Sequence, residues 1–201
     1  MVQTELILAS TSPYRAELLG RLRLPFRQQA PQCAEAALAG ELPAAMAGRL
    51  ATCKAQAVAA GLQDGLVIGS DQVATLDGVT AVGKPGDFEQ ALAQLEAASG
   101  RSVTFYTGVT VLDVASGRMQ RAVEPFQVVF RPLSRAQISR YLALEQPYDC
   151  AGSFKVEGLG IVLFERLVGE DPTALMGLPL IRLTRMLEAM GVAPLGGELV
   201  S

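Results

Sequence analysis

The sequence predicts an α/β protein with a mixed β-sheet, and three observations support that fold class. Apolar runs of strand length alternate with segments that begin with helix-capping residues, a pattern typical of parallel strands joined by helices. Two long β-rich segments are separated by only a few turn residues, which indicates an antiparallel hairpin. No repeat and no Ser/Gly-rich linker divides the chain, so we expect residues 1–201 to form one domain.

The first elements follow from short local patterns. Residues 5–9 are apolar and predict a buried strand. Ser12 then caps a helix that begins at Pro13, because proline suits the first helical position. Residues 43–60 are rich in alanine, which favours a second helix.

The centre of the chain reads as strands and turns. Residues 66–68 predict a short strand that leads into a Gly-Ser-Asp-Gln turn. Residues 73–76 and 79–82 flank Asp77 and Gly78 and predict a tight hairpin. A longer hairpin is predicted from residues 103–114 and 119–130. Three later helices are predicted after the capping positions Asp87, Ser134 and Pro179, covering residues 88–98, 135–145 and 180–190.

The chain contains no histidine, and this narrows its chemistry. Ser–His–Asp catalysis, Cys–His catalysis and histidine metal sites are excluded. General acid–base catalysis must therefore use carboxylates, lysines, tyrosines or bound water. The net charge of −3 and the lack of a basic run argue against nucleic acid as a partner.

The cysteines and the N-terminus predict where the protein works. Cys33, Cys53 and Cys150 are far apart and lack CxxC spacing, so we expect free thiols in a reducing compartment. Glu5 stands where a signal peptide carries basic residues. No run reaches the roughly 18 uncharged apolar residues that a membrane span needs. We therefore expect a soluble cytoplasmic protein without a membrane partner.

The junction between the first strand and the first helix is suited to anions. Ser10 and Ser12 lie just before a helix N-terminus, where free N–H groups and the helix dipole favour phosphate. Arg15, in the first turn, opposes that dipole, and its placement makes sense if it faces an anionic ligand. The alternative is that Ser12 only caps the helix and Arg15 is solvated, and these residues alone favour that alternative.

Three further segments carry candidate residues. For Asp71 and Lys84, each taken alone, a purely structural role is more common than a functional one. Asp71 follows an apolar strand, where catalytic and structural aspartates both occur. Lys84 lies in a Gly-Lys-Pro loop that lacks the spacing of a Walker A motif. Glu157 lies in a glycine-dense turn that fails as a dinucleotide fingerprint but can bring a carboxylate close to a ligand.

Six motifs taken together resemble the Maf family of nucleotide pyrophosphatases, and they occur in the order expected for it. They are LASTSPYRAELL, IGSDQV, GKP, VTFYTG, CAGSFKVEGLGI and TALMGLPLIRL. The resemblance implies a mixed sheet flanked by helices around a cleft, similar to the inosine-triphosphate pyrophosphatase architecture. It also implies hydrolysis of nucleoside triphosphates to monophosphate and diphosphate with a divalent cation, Mg²⁺ or Mn²⁺, and it suggests a homodimer.

Three positions resemble the branch of the family that acts on 7-methyl-GTP. They are Tyr14, Gln72 and Glu157, where the dTTP/UTP branch has other residues. The 7-methylguanine base is positively charged, so Tyr14 can stack on it with a cation–π gain of roughly 0.5–2 kcal/mol. The Glu157 carboxylate can accept hydrogen bonds from the base and balance its charge.

The resemblance also implies roles for the other candidates. Asp71 matches the proton acceptor of the family. Glu35 matches an acidic residue that helps Asp71 hold the metal, and oxygen ligands suit Mg²⁺ or Mn²⁺. The expected phosphate-binding residues are Ser10, Arg15, Lys54 and Lys84.

Two departures from the family pattern affect the site. Ala34 replaces a usual carboxylate before Glu35, and Ala16 replaces a usual basic residue after Arg15. Either departure would lower the affinity for metal or triphosphate, but neither affects Asp71, so we expect activity to remain. Two alternative functions stay open: a pyrophosphatase for dTTP, UTP or a broader set of non-standard nucleotides, and a non-catalytic nucleotide-binding regulator of septum formation.

Overall fold

Seven strands form one mixed β-sheet at the centre of this protein, whose computed structural model describes residues 4–196. The strands are β1 (Leu6–Ala9), β2 (Phe26–Gln28), β3 (Leu66–Thr75), β4 (Ala81–Val82), β5 (Ser102–Asp113), β6 (Met119–Phe130) and β7 (Phe164–Val168). Their order is β2–β1–β3–β5–β6–β7, and β4 pairs with the end of β3. β1 pairs in parallel with β2 and β3, and the other pairs are antiparallel. The predicted mixed α/β sheet is confirmed.

Helices cover the sheet, and they include all five that the sequence predicts. They are α1 (Pro13–Gly20), α2 (Pro43–Ala59), α3 (Phe88–Ala98), α4 (Arg135–Glu145), α5 (Pro172–Leu175) and α6 (Leu180–Ala189). The side chains of Ser12, Asp87 and Ser134 cap α1, α3 and α4, as the sequence predicts. The short elements β2, β7 and α5 were not predicted, because each spans only three to five residues.

The strand that carries Asp71 is longer than the sequence predicts. β3 runs without interruption through Gly69, so the expected turn after residue 68 is wrong. A Cβ at Gly69 would overlap the carbonyl oxygen of Ala51 in α2, and one at Gly108 of β5 would overlap Ala47. Glycine is needed here because a helix packs directly on the sheet, not because the chain turns.

The hairpin after β3 also differs from the prediction. β4 contains only two residues, and five residues rather than two connect it to β3. The Asp77 carboxylate accepts hydrogen bonds from the backbone N–H groups of Val79 (2.8 Å) and Thr80 (2.7 Å). The aspartate therefore organises a wider turn, as short polar side chains commonly do.

Alternation along β3 directs side chains to two different layers. Leu66 and Ile68 pack with the apolar cluster that includes α6, whereas Val67 packs with α2. Continuing this alternation, Ser70 and Gln72 face the segment around α5, and Asp71 faces α2. Ser70 and Gln72 therefore lie on one face of the sheet, and Asp71 lies on the other.

A disulfide joins Cys33 to Cys53, so the prediction of free thiols is wrong for these two residues. The loop after β2 folds back onto α2 and brings together cysteines that are 20 positions apart. The spacing of the two cysteines does not indicate this contact, because the loop between them has no regular pattern. Cys150 is a free thiol, and burial raises its pKa to about 12.

Within residues 4–196, no helix is both long and apolar enough to cross a bilayer. The cytoplasmic location, the homodimer and the single domain spanning residues 1–201 stay predictions from the sequence.

Candidate active site

A cleft of about 670 Å³ opens where β1 ends, and it is large enough for a small-molecule ligand. β1 stops opposite Gly69, whereas β3 continues for six more residues, so the ends of the parallel strands border an open space. Such strand ends are the usual ligand site of α/β sheets. All nine site residues expected from the sequence line it: Ser10, Tyr14, Arg15, Glu35, Lys54, Asp71, Gln72, Lys84 and Glu157.

The N-terminus of α1 forms one side of the cleft. Ser10 Oγ accepts a hydrogen bond from the Ser12 N–H (3.1 Å), and Ser12 Oγ accepts one from the Arg15 N–H (3.4 Å). These bonds fix the loop between β1 and α1 and direct the helix N-terminus at the cavity. The positive end of the helix dipole therefore borders the ligand space.

Arg15 is a partly buried cation that has no salt-bridge partner among residues 4–196. Its Nε donates to the Gly177 carbonyl oxygen (2.9 Å). Burial lowers the pKa of Arg15, and the nearby Asp71 and Glu35 charges oppose that shift. A partly buried guanidinium whose Nη groups donate to no residue from 4 to 196 is suited to an anionic ligand in the cleft.

Two carboxylates and one ammonium group meet at the floor of the cleft. Lys54 Nζ lies 2.6 Å from Asp71 Oδ1 and 2.7 Å from Glu35 Oε1. Lys54 and Asp71 are almost fully buried, whereas Glu35 is largely exposed on the loop. The hydrogen bond from Lys54 is the main reason that the pKa of Glu35 lies below its usual range. Lys54 thus contacts two carboxylates, whereas the sequence led us to expect contacts with phosphate.

Asp71 has one oxygen held and one oxygen available. Lys54 donates to Oδ1, whereas no N–H or O–H group within residues 4–196 donates to Oδ2. The side chain keeps 12% of its surface exposed, so cleft water can reach it. This arrangement suits a carboxylate that accepts a proton from water.

Tyr14 and Glu157 lie at another part of the cleft, beside the segment around Cys150. Burial raises the pKa of the Tyr14 hydroxyl, with further contributions from Cys150 and Asp149. Glu157 is exposed and forms no salt bridge with a residue in the described part of the chain. An aromatic ring and an unpaired carboxylate therefore border the same cavity as Arg15.

Gln72 lines the cleft, but its amide group is already engaged. Nε2 donates to Thr107 Oγ1 (3.1 Å) and to the carbonyl oxygens of Ala174 (2.9 Å) and Leu175 (3.0 Å). Gln72 therefore shapes the wall of the cleft by holding backbone in place.

Two parts of the cleft lining were not predicted from the sequence: the segment at the end of α5 and a pair of phenylalanine side chains. Leu175, Met176 and Gly177 border the cleft, as do Phe105 and Phe154. The two phenylalanine rings contact each other edge to face at 5.3 Å. The TALMGLPLIRL motif could have indicated the first wall, but nothing in its residues alone suggested a role.

The fold and the site together define an α/β protein with a cleft at its strand ends that is lined by cationic and carboxylate side chains. The family model described as Maf-like protein matches residues 5–190. A 7-methyl-GTP pyrophosphatase of Albidiferax ferrireducens is 54% identical, over 97% of this chain and 98% of its own length. One of Nitrosococcus oceani is 56% identical, over 92% and 93%. This chain therefore belongs to the Maf-like protein family.

Among solved structures, the Ham1 protein of Staphylococcus aureus has a TM-score of 0.45 and 14% identity, covering 63% of this chain and 71% of its own. So loose a likeness carries no argument about activity.

Proposed function

We propose that this protein hydrolyses 7-methyl-GTP to 7-methyl-GMP and diphosphate. One observation carries the proposal: Tyr14 and Arg15, adjacent in α1, line one cleft but have different surroundings. Tyr14 lies near Cys150, Asp149 and Lys155, whereas Arg15 lies near the carboxylates of Asp71 and Glu35. The aromatic ring of Tyr14 suits a cationic base, and the guanidinium group of Arg15 suits a triphosphate. The relatives that are called 7-methyl-GTP pyrophosphatases support the same substrate.

The base would be recognised through its positive charge. A 7-methylguanine ring stacked on Tyr14 gains roughly 0.5–2 kcal/mol from the cation–π interaction. The exposed Glu157 carboxylate would accept hydrogen bonds from the N–H groups of the base and offset its charge. Unmethylated GTP has the same donors without the permanent charge, so it should bind less well.

The triphosphate would be held by free cations and by the α1 N-terminus. Arg15 and Lys84 form no salt bridge with another residue between 4 and 196, so their charges are free to meet phosphate oxygens. Lys54 Nζ has three N–H donors, of which Asp71 and Glu35 take two, so the third can bind a phosphate oxygen. Ser10 keeps the N–H groups of the loop in position through its bond to Ser12.

Hydrolysis needs a group that removes a proton from the attacking water. Asp71 Oδ2 is the group that we assign, because it is free of donors while Oδ1 is held by Lys54. Water would attack phosphorus at the α–β anhydride, its proton would pass to Asp71, and the anhydride bond would break to release diphosphate. Lys54 would orient the Asp71 carboxylate for that step through its hydrogen bond to Oδ1.

Glu35 and Asp71 are the residues that would hold a divalent cation. The two carboxylates converge on a single ammonium nitrogen, which marks a position where positive charge is stabilised. No cluster of three or more Asp, Glu, His or Cys residues that could hold a metal occurs in the described chain, so phosphate and water must complete the ligands. Mg²⁺ is commonly held in this way. When bound, such a cation would offset the charge of the phosphate oxygens.

A substrate panel tests the proposal. We expect kcat/KM for 7-methyl-GTP to exceed the values for GTP, UTP and dTTP, with diphosphate as product and with activity dependent on added Mg²⁺ or Mn²⁺. A preference for UTP or dTTP would instead identify a pyrimidine-specific enzyme. Binding of nucleotide without any turnover would support a regulatory protein.

The role of Asp71 has its own test. Asp71→Asn should lower kcat for 7-methyl-GTP by about 10²–10⁴-fold, the usual contribution of a general base. Asp64→Asn is the matched control, because Asp64 is exposed and lies outside the cleft. Near-normal diphosphate release by Asp71→Asn would exclude Asp71 as the base.

A further inference from the structure

The TALMGLPLIRL motif has no role in the proposed chemistry, yet its first half forms a wall of the cleft. Residues 171–178 include α5 and the turn that follows it. Gly177 has a φ of +105°, a backbone conformation that glycine adopts readily. The carbonyl of this glycine faces Arg15, whose Nε donates to it at 2.9 Å.

The same carbonyl is held from the sheet side by Ser70. Ser70 Oγ lies 2.9 Å from the Gly177 oxygen and 2.8 Å from the Gly108 oxygen. A hydroxyl group has one proton, so it is shared between these two carbonyls. Ser70 is completely buried and touches neither solvent nor ligand space.

Further polar side chains fix the backbone just before Gly177. Gln72 Nε2 donates to the carbonyls of Ala174 and Leu175, and Thr107 Oγ1 donates to that of Ala174 (2.8 Å). On the other side, Asp171 accepts from the Thr173 and Ile181 N–H groups. The segment is therefore pinned at both ends to elements of the core.

We propose that Ser70 is a positioning residue for Arg15 and acts through the Gly177 carbonyl. The hydrogen bond from Nε fixes the plane of the guanidinium group and leaves both Nη groups free to bind the ligand. A free arginine side chain would have to lose rotamer freedom when it binds phosphate, whereas this one has already lost it. Ser70 thus lowers the entropic cost of binding. The inference rests on the proposed phosphate role of Arg15.

Calorimetric binding of inorganic triphosphate provides a test that does not depend on the base. Ser70→Ala should raise Kd for inorganic triphosphate about fivefold, which corresponds to one hydrogen bond. It should raise KM for 7-methyl-GTP by a similar factor and change kcat by less than about twofold. If the protein binds inorganic triphosphate but does not turn over 7-methyl-GTP, the proposed substrate fails while this test remains valid.

A double-mutant cycle with Arg15→Ala separates positioning from a general structural effect. In the Arg15→Ala background, Ser70→Ala should change Kd no further. An equal change in both backgrounds, or no change in the wild-type background, would overturn the proposal. Ser99→Ala is the matched control, because Ser99 also bridges backbone groups, those of Leu133, but lies outside the cleft. It should leave Kd unchanged.

A second variant covers the case in which Ser70→Ala does not fold. Thr107→Val keeps the shape of the side chain and removes its hydrogen bond to Ala174. It should raise Kd for inorganic triphosphate in the presence of Arg15 and have no effect in its absence. If Thr107→Val and wild type have the same Kd, residues 171–178 do not position Arg15.

Discussion

Lys54 Nζ contacts Asp71 Oδ1 at 2.6 Å, and the two side chains are the most buried ion pair of the cleft. The same ammonium group also binds the exposed carboxylate of Glu35 at 2.7 Å. One lysine therefore offsets the charge of a buried carboxylate, Asp71, and of an exposed one, Glu35. Removal of this lysine should affect both stability and catalysis.

Lys54→Met should destabilise the protein at neutral pH by about 3 kcal/mol, because it leaves a nearly buried carboxylate unpaired. We also expect kcat/KM to fall by at least about 10²-fold, since Asp71 loses the group that orients it. Lys84→Met is the matched control: Lys84 lines the same cleft but is exposed. It should raise KM and leave urea denaturation unchanged. Equal stability of the two variants would contradict the prediction.

The pair between Glu35 and Lys54 should make stability depend on acid pH. The pKa of Glu35 lies below its usual range in the folded protein, chiefly because Lys54 donates to it. The pair therefore contributes stability above the ordinary glutamate pKa of about 4.3, and the contribution is lost as pH falls through the lowered value. We expect Glu35→Gln to be less stable than wild type at pH 6 by below about 1 kcal/mol, because Glu35 is exposed.

The measurement is chemical denaturation of both proteins from pH 6 downward. The difference in unfolding free energy should vanish at the acid end. A carboxyl NMR titration of Glu35 provides the direct check, and a midpoint at or above about 4.3 would show that the pKa is not lowered.

Tyr14 should determine how strongly the protein prefers a methylated base. Tyr14→Ala should reduce the ratio of kcat/KM for 7-methyl-GTP to that for GTP by about 2–30-fold, which corresponds to the loss of one cation–π contact. Tyr14→Phe keeps the ring and should keep most of the ratio. If both variants lose the preference equally, the hydroxyl group rather than the ring is responsible.

The Cys33–Cys53 disulfide should stabilise the protein by restricting its unfolded chain. For cysteines 20 positions apart, the expected contribution is about 3 kcal/mol. Cys33→Ser should therefore unfold at lower denaturant concentration than wild type under oxidising conditions. A reductant should lower the wild-type midpoint to that of Cys33→Ser. Cys150→Ser is the control, because Cys150 forms no disulfide. A wild-type midpoint that is unaffected by reductant would be inconsistent with this role.

The sequence predicted the elements that local chemistry determines. The capping residues Ser12, Asp87 and Ser134 located three helix starts, because a cap depends only on residues within one turn. Seven of the nine site residues lie in four of the six motifs, whereas Glu35 and Lys54 were expected from the wider family resemblance. All nine line one cleft. Local pattern and family resemblance were sufficient for these features.

What the sequence did not predict depends on contacts between distant parts of the chain. Gly69 suggested a turn, whereas it actually makes room for α2. The engaged amide of Gln72 could not be foreseen, because its acceptors Ala174 and Leu175 lie more than a hundred positions away. Cys33 and Cys53 meet only because a loop folds back on a helix.

The two loops that border the cleft, those of Glu35 and Lys84, are held in place by bonds of different strength. On one side, a covalent bond fastens the Glu35 loop to α2. On the other, the Lys84 loop is held by hydrogen bonds, from Gln94 Nε2 to the Gly83 carbonyl (3.1 Å) and from the Gly86 N–H to Tyr148. Hydrogen bonds of this kind break and reform readily, whereas the covalent bond does not. We therefore expect the loop that carries Lys84 to move more than the loop that carries Glu35, so that the cleft opens and closes from one side.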